Sequence, residues 1–462
     1  MSEQVGPTQT EEKSSRVESF IANPRRAVWK LSVPVMLGMG LHTLYAVTDM
    51  IFVGRLGGDE VAALSFSMPL VFFSIGITFG LGTGATSVIA RLLGAGLKKD
   101  ADNAAKHAVL IALAIGGVVI AAALLWKREI MGLLGTSGEV TGLAVQYFEI
   151  VAPGFFFTIL NTTFRAIMAG EGNTITPISF QASGTVINVL LDPLFIFWAG
   201  LGISGAAWAT VVSQFLVLLL FAVHIFVRRG TFLDFRFDDF NPCARTAWDI
   251  LRVGLPASGS MVIISVGAMC TNWIVSVFGN AAVAGLGVGG RLDSIYFMPT
   301  FALASSQVTL AGMFLGAGRI DLIRKTMVYT MLWGQVLAVS FAFVFYFFAT
   351  PLCAIFTSDQ QIIAVAVSYI RVIALAFPFI TVGLISGRVF QGLGSGLPGL
   401  VLSALRVMVI SVPLAYLFTR VLGFGLTWVW GASATAGLIT SLVATVWIQR
   451  RLRQLEEALT TE

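Results

Sequence analysis

Residues 108–126, AVLIALAIGGVVIAAALLW, carry no charged side chain. A helix rises about 1.5 Å per residue, so a run of this length is enough to cross the apolar core of a bilayer. Comparable runs recur along the whole chain. Lipid offers the backbone no hydrogen-bond partner, so each run must satisfy its own amides as a helix. Marking the runs between turn signals predicts twelve spans, at 28–53, 62–92, 105–126, 140–168, 177–199, 204–228, 247–278, 282–313, 326–349, 360–389, 397–422 and 428–449. The runs do not alternate with period two, which excludes a β-barrel. Only 11% of residues are charged, against about 25% in an ordinary soluble domain. The expected fold class is all-α, a polytopic membrane protein with twelve transmembrane helices.

The chain also repeats itself. Pro34 and Pro256, Gly57 and Gly279, Gly94 and Gly316, and Gly170 and Gly392 are all 222 residues apart. LLGAGLKKDADNAAKHAV and FLGAGRIDLIRKTMVYTM surround one of these pairs. Six spans per half is an even number, so both halves enter the membrane from the same side. Parallel repeats of this kind are related by a pseudo-twofold axis along the membrane normal, and a site at their interface suits alternating access. The expected division is a tail at 1–27, an N-lobe at 28–228, a linker at 229–246, a C-lobe at 247–450 and a tail at 451–462.

Lys and Arg in short loops set the orientation. With the N-terminus inside, 22 of them fall on the cytoplasmic side and 4 on the outer side. Both termini are therefore expected in the cytoplasm. The net charge of +5 follows from this topology, and no basic stripe points to nucleic acid. Cys243, Cys270 and Cys353 are too scattered for a disulfide framework or a metal site. The polar N-terminus lacks the pattern of a cleaved signal and reads as a cytoplasmic tail.

Acids inside the spans carry the sharpest functional information, because Asp at a span centre costs about 2.5–3.5 kcal/mol to insert. Asp49, in HTLYAVTDMIFVG, lies 15 residues past Pro34, and Asp192, in NVLLDPLFIF, lies 15 past Pro177. Both therefore stand about 22 Å along helices that run the same way, at one depth. Asn188 shares the helical face of Asp192, and Tyr147 and Thr210 fall near the same level from descending spans. Pro193 withdraws a helical donor next to Asp192. An acid pair with an amide and hydroxyls forms a proton or cation site. Burial and a neighbouring carboxylate both favour the neutral acid, which lets one of the pair exchange its proton near neutral pH. In the second half the 222 offset puts Thr271, Ile410 and Leu414 at the positions of Asp49, Asn188 and Asp192. The site therefore belongs to the N-lobe.

Other polar groups have local readings beside functional ones. His42 lies seven residues before Asp49 and fits a proton relay or a packed neutral imidazole. Glu149 and Arg371 are repeat partners, which suits either a gate-like ion pair or local neutralisation of each, the latter being favoured. Arg291, Arg371 and Arg406 would have to line a basic cavity in a lipid-linked precursor flippase, the alternative transport function. A receptor or channel is a third class. GISG at 202–205, with His224 a span away, matches a protease-like pattern without its structural context. No HExxH, Walker A or CxxC is present, so no enzyme is expected.

SVPVMLGMGLHTLYAVTDMIFVGRLGGDEVAALSFSMP, ARLLGAGLKKDADNA, NVLLDPLFIF and GISGAAWATVVSQ resemble the MATE (multidrug and toxic compound extrusion) transporters over nearly the whole chain. The resemblance implies two six-helix lobes and cation-coupled efflux of diverse amphipathic or cationic compounds by a monomer in the inner (plasma) membrane. It implies lipid and small-molecule drugs as partners, and no cofactor beyond a coupling H+ or Na+. The DinF-like branch carries an N-lobe cluster that would here be Asp49, Asn188 and Asp192, with Tyr147 and Thr210 beside it. The NorM-like branch carries acids in spans 7 and 10, and this chain has none in the span 7 stretch ASGSMVIISVGAMCTNW or in span 10. That departure favours the DinF-like, proton-coupled type. No metal ligand set is certain, although carboxylates with an amide and a hydroxyl also suit Na+.

Overall fold

The computed structural model describes the backbone of residues 9–133 and 138–460. Its side chains are described from Arg16 onward, except those at 42, 44–47, 49–50, 58–63, 65–73, 138–139 and 459–460. Every regular element among the described residues is a helix. A polar helix α1 (Gln9–Ala22) precedes α2 (Pro24–Gly54), α3 (Gly58–Gly94), α4 (Lys98–Leu125), the short α5 (Lys127–Leu133) and α6 (Gly138–Gly170). Then come α7 (Ile175–Trp198), α8 (Ile203–Val227), α9 (Ala244–Ser276), α10 (Asn280–Gly316), α11 (Ile320–Phe347) and the short α12 (Ala349–Ala354). The last three are α13 (Gln360–Gly392), α14 (Leu397–Val421) and α15 (Thr427–Thr460). Among the described residues, eleven helices have the length and apolarity to cross a membrane. α2 occupies the first expected span. The fold is an all-helical polytopic membrane protein.

The duplication appears directly in the helix boundaries. α3 and α10 start at 58 and 280, α4 and α11 at 98 and 320, and α6 and α13 at 138 and 360, each pair 222 apart. The turns repeat too. Gly96 (φ 75) and Gly318 (φ 67) close α3 and α10 in the left-handed region that a side chain disfavours. Leu97 N–H donates to Leu92 O at 2.9 Å, and Arg319 N–H donates to Phe314 O at 2.8 Å. These bonds pair carbonyls that the helix ends would otherwise leave unsatisfied.

The chain divides into two compact units, one containing Val33–Gly254 and the other Leu255–Glu462 together with Glu18–Ser32. In the first, α3 packs most extensively on α6; in the second, its repeat copy α10 packs most extensively on α13. Lipid gives no hydrophobic drive for helices to associate, so close approach at small residues takes its place. A Cβ on Gly184 of α7 would stand 2.3 Å from Val217 Cγ2 on α8. That glycine lets α7 and α8 cross closely, with Ala206, Ala207, Ala209 and Ser213 buried along α8. π-type turns with i to i+5 bonds close both helices; in α7 the π turn begins directly after Pro193.

The π turn of α7 covers Leu194–Trp198, and that of α8 covers Val223–Val227. Pro193 has no N–H to give the carbonyl of residue 189, one turn before the π turn begins.

The linker, expected to be a polar loop, is folded onto the first unit. Leu233 and Phe235 are buried in its core, and Asp234 and Arg236, each the next residue along, are exposed. Glu171 accepts from Phe232 N–H at 3.3 Å and Leu233 N–H at 3.2 Å, and Asp102 Oδ1 accepts from Asp234 N–H at 2.9 Å. Further along, His107 Nε2 accepts from Cys243 N–H at 2.9 Å. Glu171→Ala would leave two backbone donors short of their acceptor, at about 1–3 kcal/mol each. Tryptic cleavage after Arg236 should then accelerate in solubilised protein; an unchanged rate would show that Leu233 and Phe235 hold the linker alone. α15 continues as a charged helix to Thr460, and Arg324 pairs with Glu456 at 2.9 Å.

Candidate functional site

Asn188 and Asp192 lie one turn apart on α7, at 1% and 0% exposure. With the Asn188 amide oriented to satisfy both neighbours, its Nδ2 donates to Asp192 Oδ2 at 3.2 Å and its Oδ1 accepts from Thr210 N–H at 3.3 Å. The close crossing permitted by Gly184 thus joins a carboxylate and an amide on α7 to the backbone of α8. α8 is tied in turn to α6, since Asn161 Nδ2 donates to Gln214 O at 2.9 Å. Such a junction fixes where the carboxylate points, while burial makes its charge state costly to leave uncompensated.

The Asp49 and His42 side chains lie outside the described residues. The next turn of α2 is described: Val53 is buried in one core with Tyr147 and Ile196. The Phe52 and Phe197 rings stand 6.4 Å apart. α2 and α7 therefore meet one turn beyond Asp49 and Asp192, and Tyr147, at 7% exposure, belongs to the same cluster. In this unit an apolar cavity of about 520 Å³ lies between α3, α4 and α6, bounded by Ile77, Val119, Ala122, Phe148 and Phe155. Its size falls within the range of small-molecule sites, roughly 300–1,000 Å³. The Ser74 hydroxyl on its wall is buried without a hydrogen-bond partner among the described residues.

Glu149 and Arg371 each have a partner within their own unit. Glu149 Oε2 meets Lys127 Nζ at 2.8 Å, and Arg371 Nε donates to Tyr346 O at 3.3 Å while lying over that ring. Arg291 lies over Phe356. The three cysteines are unbridged.

Sequence reasoning passed over a polar cluster in the second unit. Tyr369 of α13 donates to Asp293 Oδ2 of α10, and Trp430 packs edge-on to Tyr369 at 4.9 Å. Gly289, one turn before Asp293, makes room for the Tyr369 ring, which a Cβ there would meet at 2.2 Å. Asp293 Oδ1 is buried and has no hydrogen-bond partner among the described residues. The available signal was an acid well inside a long apolar helix, overshadowed by Arg291 two residues away. Tyr369→Phe removes the donor to Asp293 and should lower stability by about 1–3 kcal/mol. Thermal unfolding in detergent reads this, and an unchanged midpoint would mean that Asp293 does not depend on the phenol.

Comparison with known proteins follows the same plan. The family model MatE matches residues 34–194 and again 256–417, one copy in each half. The probable multidrug resistance protein NorM of Thermotoga maritima is 26% identical over 414 residues, covering 88% of each chain. The multidrug export protein MepA of Staphylococcus saprophyticus is 26% identical, covering 87% of this chain and 89% of the other. A solved outward-facing multidrug resistance MATE family transporter of the MOP superfamily is 28% identical with a TM-score of 0.91, covering 98% of this chain and 100% of that one. A MOP superfamily transporter from Pyrococcus furiosus, solved with a binding pocket of reverse polarity, has the same identity and TM-score. With matches spanning most of both halves of a duplicated membrane bundle, the chain belongs to the MatE family, a family of transporters rather than enzymes.

Proposed function

We propose that this chain exports diverse amphipathic or cationic compounds by alternating access, driven by inward H+ through Asp49, Asn188 and Asp192. The observation that carries this reading is the buried Asn188–Asp192 pair joined to α8, in a half whose repeat copy has Ile410 and Leu414 instead. Intramembrane carboxylates are costly and functional by default. The relatives named as multidrug export proteins support the substrate class. The acids in spans 1 and 5, with none in residues 257–273 of span 7 or in span 10, support the DinF-like branch.

Proton binding turns an acceptor oxygen of Asp192 into a donor. With the proton on Oδ2, the Asn188 amide turns or gives up its bond, which alters the contact of α7 with α8. Coupling requires that this change favour one access state, since a ligand shifts a balance only by its differential affinity. Tyr147 and Thr210 shape the surroundings of the acids, and His42 is positioned in sequence to relay protons to Asp49. Glu149 and Arg371 fit local neutralisation better than a gate. Both termini face the cytoplasm on this reading.

Purified protein in vesicles should exchange a fluorescent cationic dye when a pH gradient is imposed. An equal sodium gradient at constant pH should produce none. Exchange driven by sodium alone would transfer the coupling role to Na+.

A further inference from the structure

We infer that the cavity beneath the linker binds the phosphate headgroup of an anionic phospholipid. It measures about 410 Å³ and is formed by the start of α4, the end of α8 and residues 231–236. Lys98, Arg229 and Arg236 contribute three positive charges to its wall, against one negative charge from Asp234. Lys98 is held by Asp102 at 2.9 Å, and Arg236 lies 3.8 Å from Asp234. Arg229 is exposed and has no ion pair among the described residues. A guanidinium presents a planar fork of donors that suits phosphate oxygens.

The wall is built in advance of any ligand. Glu171 and Asp102 hold the backbone of Phe232, Leu233 and Asp234, and Lys98 lies over the Phe232 ring at 5.2 Å. Less of the binding free energy is then lost to ordering the site.

Lipid is favoured over a soluble phosphate by what adjoins the charges. Phe226 forms part of the wall and is 55% exposed on the last turn of α8. Phe215 and Leu219 lie one turn apart on α8, Phe226 lies in the π turn beyond them, and all three are exposed. A cationic recess therefore opens beside an apolar track running along a membrane-spanning helix. A headgroup with its acyl chain matches both parts, and basic recesses at helix ends are known to recruit anionic lipids.

The test uses the full purified chain, delipidated in detergent and titrated with phosphatidylglycerol or phosphatidylcholine, with retained lipid read by native mass spectrometry. Phosphatidylglycerol should be retained roughly tenfold more strongly. Arg229→Gln/Arg236→Gln should abolish that preference, Arg229→Lys/Arg236→Lys should keep most of it, and Arg450→Gln/Arg451→Gln should leave it intact. If the Gln pair lowers the melting temperature, the decision passes to competition in the unaltered protein. There, glycerol 3-phosphate without acyl chains should fail to displace the lipid at matched concentration. Displacement by it, or by inorganic phosphate, would make this a soluble-anion site and overturn the proposal. Equal loss in the Arg450/Arg451 variant, or no preference at all, would overturn it as well.

Discussion

Asp192→Asn should leave the protein folded and reduce pH-gradient-driven export to the level of protein-free vesicles. The amide is close to isosteric with the carboxylate and its oxygen can still accept from Asn188 Nδ2, which reaches Asp192 Oδ2 at 3.2 Å. What it lacks is an exchangeable proton. Without a group that binds H+ differently in the two access states, a proton gradient has no means of biasing them. Asp49→Asn should behave the same way. Asn188→Ala should weaken coupling less completely, since it removes a positioning partner and keeps the carboxylate. Dye exchange under an imposed pH gradient reads all three, with melting temperature as the control for folding. Undiminished exchange in both Asp variants would sink the N-lobe coupling assignment.

Gly392→Ala should destabilise the chain more than the equivalent change at its repeat partner Gly170. A Cβ at 392 would stand 2.8 Å from Val308 O, 2.9 Å from Gln307 O and 2.9 Å from Ala311 Cβ. Two of these are backbone atoms of α10, which cannot turn aside as a side-chain tip can. At Gly170 the nearest atoms are Ile89 Cγ2 at 3.0 Å and Cβ at 3.1 Å, with Thr86 O at 3.3 Å. Overpacking costs about 1–3 kcal/mol, and Gly392 belongs at the upper end because it separates α10 from α13, the most extensive packing in its unit. Thermal unfolding of the two variants in detergent would read the difference. Equal shifts would mean that helix backbones move apart here as easily as an isoleucine rotates.

Much of the fold was legible in the residues alone. Apolar length locates the spans because a bilayer forces helix on any segment that crosses it. The 222 offset, read from scattered Pro and Gly, recurs in the starts of α3 and α10, of α4 and α11, and of α6 and α13. Asp49 and Asp192 were visible for a similar reason: a carboxylate in an apolar run stands out when no opposite charge lies beside it, as Arg291 does beside Asp293. The linker was harder, since RRGTFLDFRFDDFNPCAR reads as polar by composition although Leu233 and Phe235 are buried. Burial there follows from an alternation that only a receiving surface on the first unit could make meaningful.

Sequence by itself determined the membrane class, the duplication and which carboxylates lie in which half, because these follow from local apolarity and from position along a helix. Tertiary structure alone decided the partners: Asn188 with Asp192 and Thr210, Tyr369 with Asp293, and Glu171 with the linker backbone. Partners depend on how each helix is rotated and how closely small residues such as Gly184 and Gly289 let its neighbour approach. Neither quantity is carried by the spacing of residues along one helix.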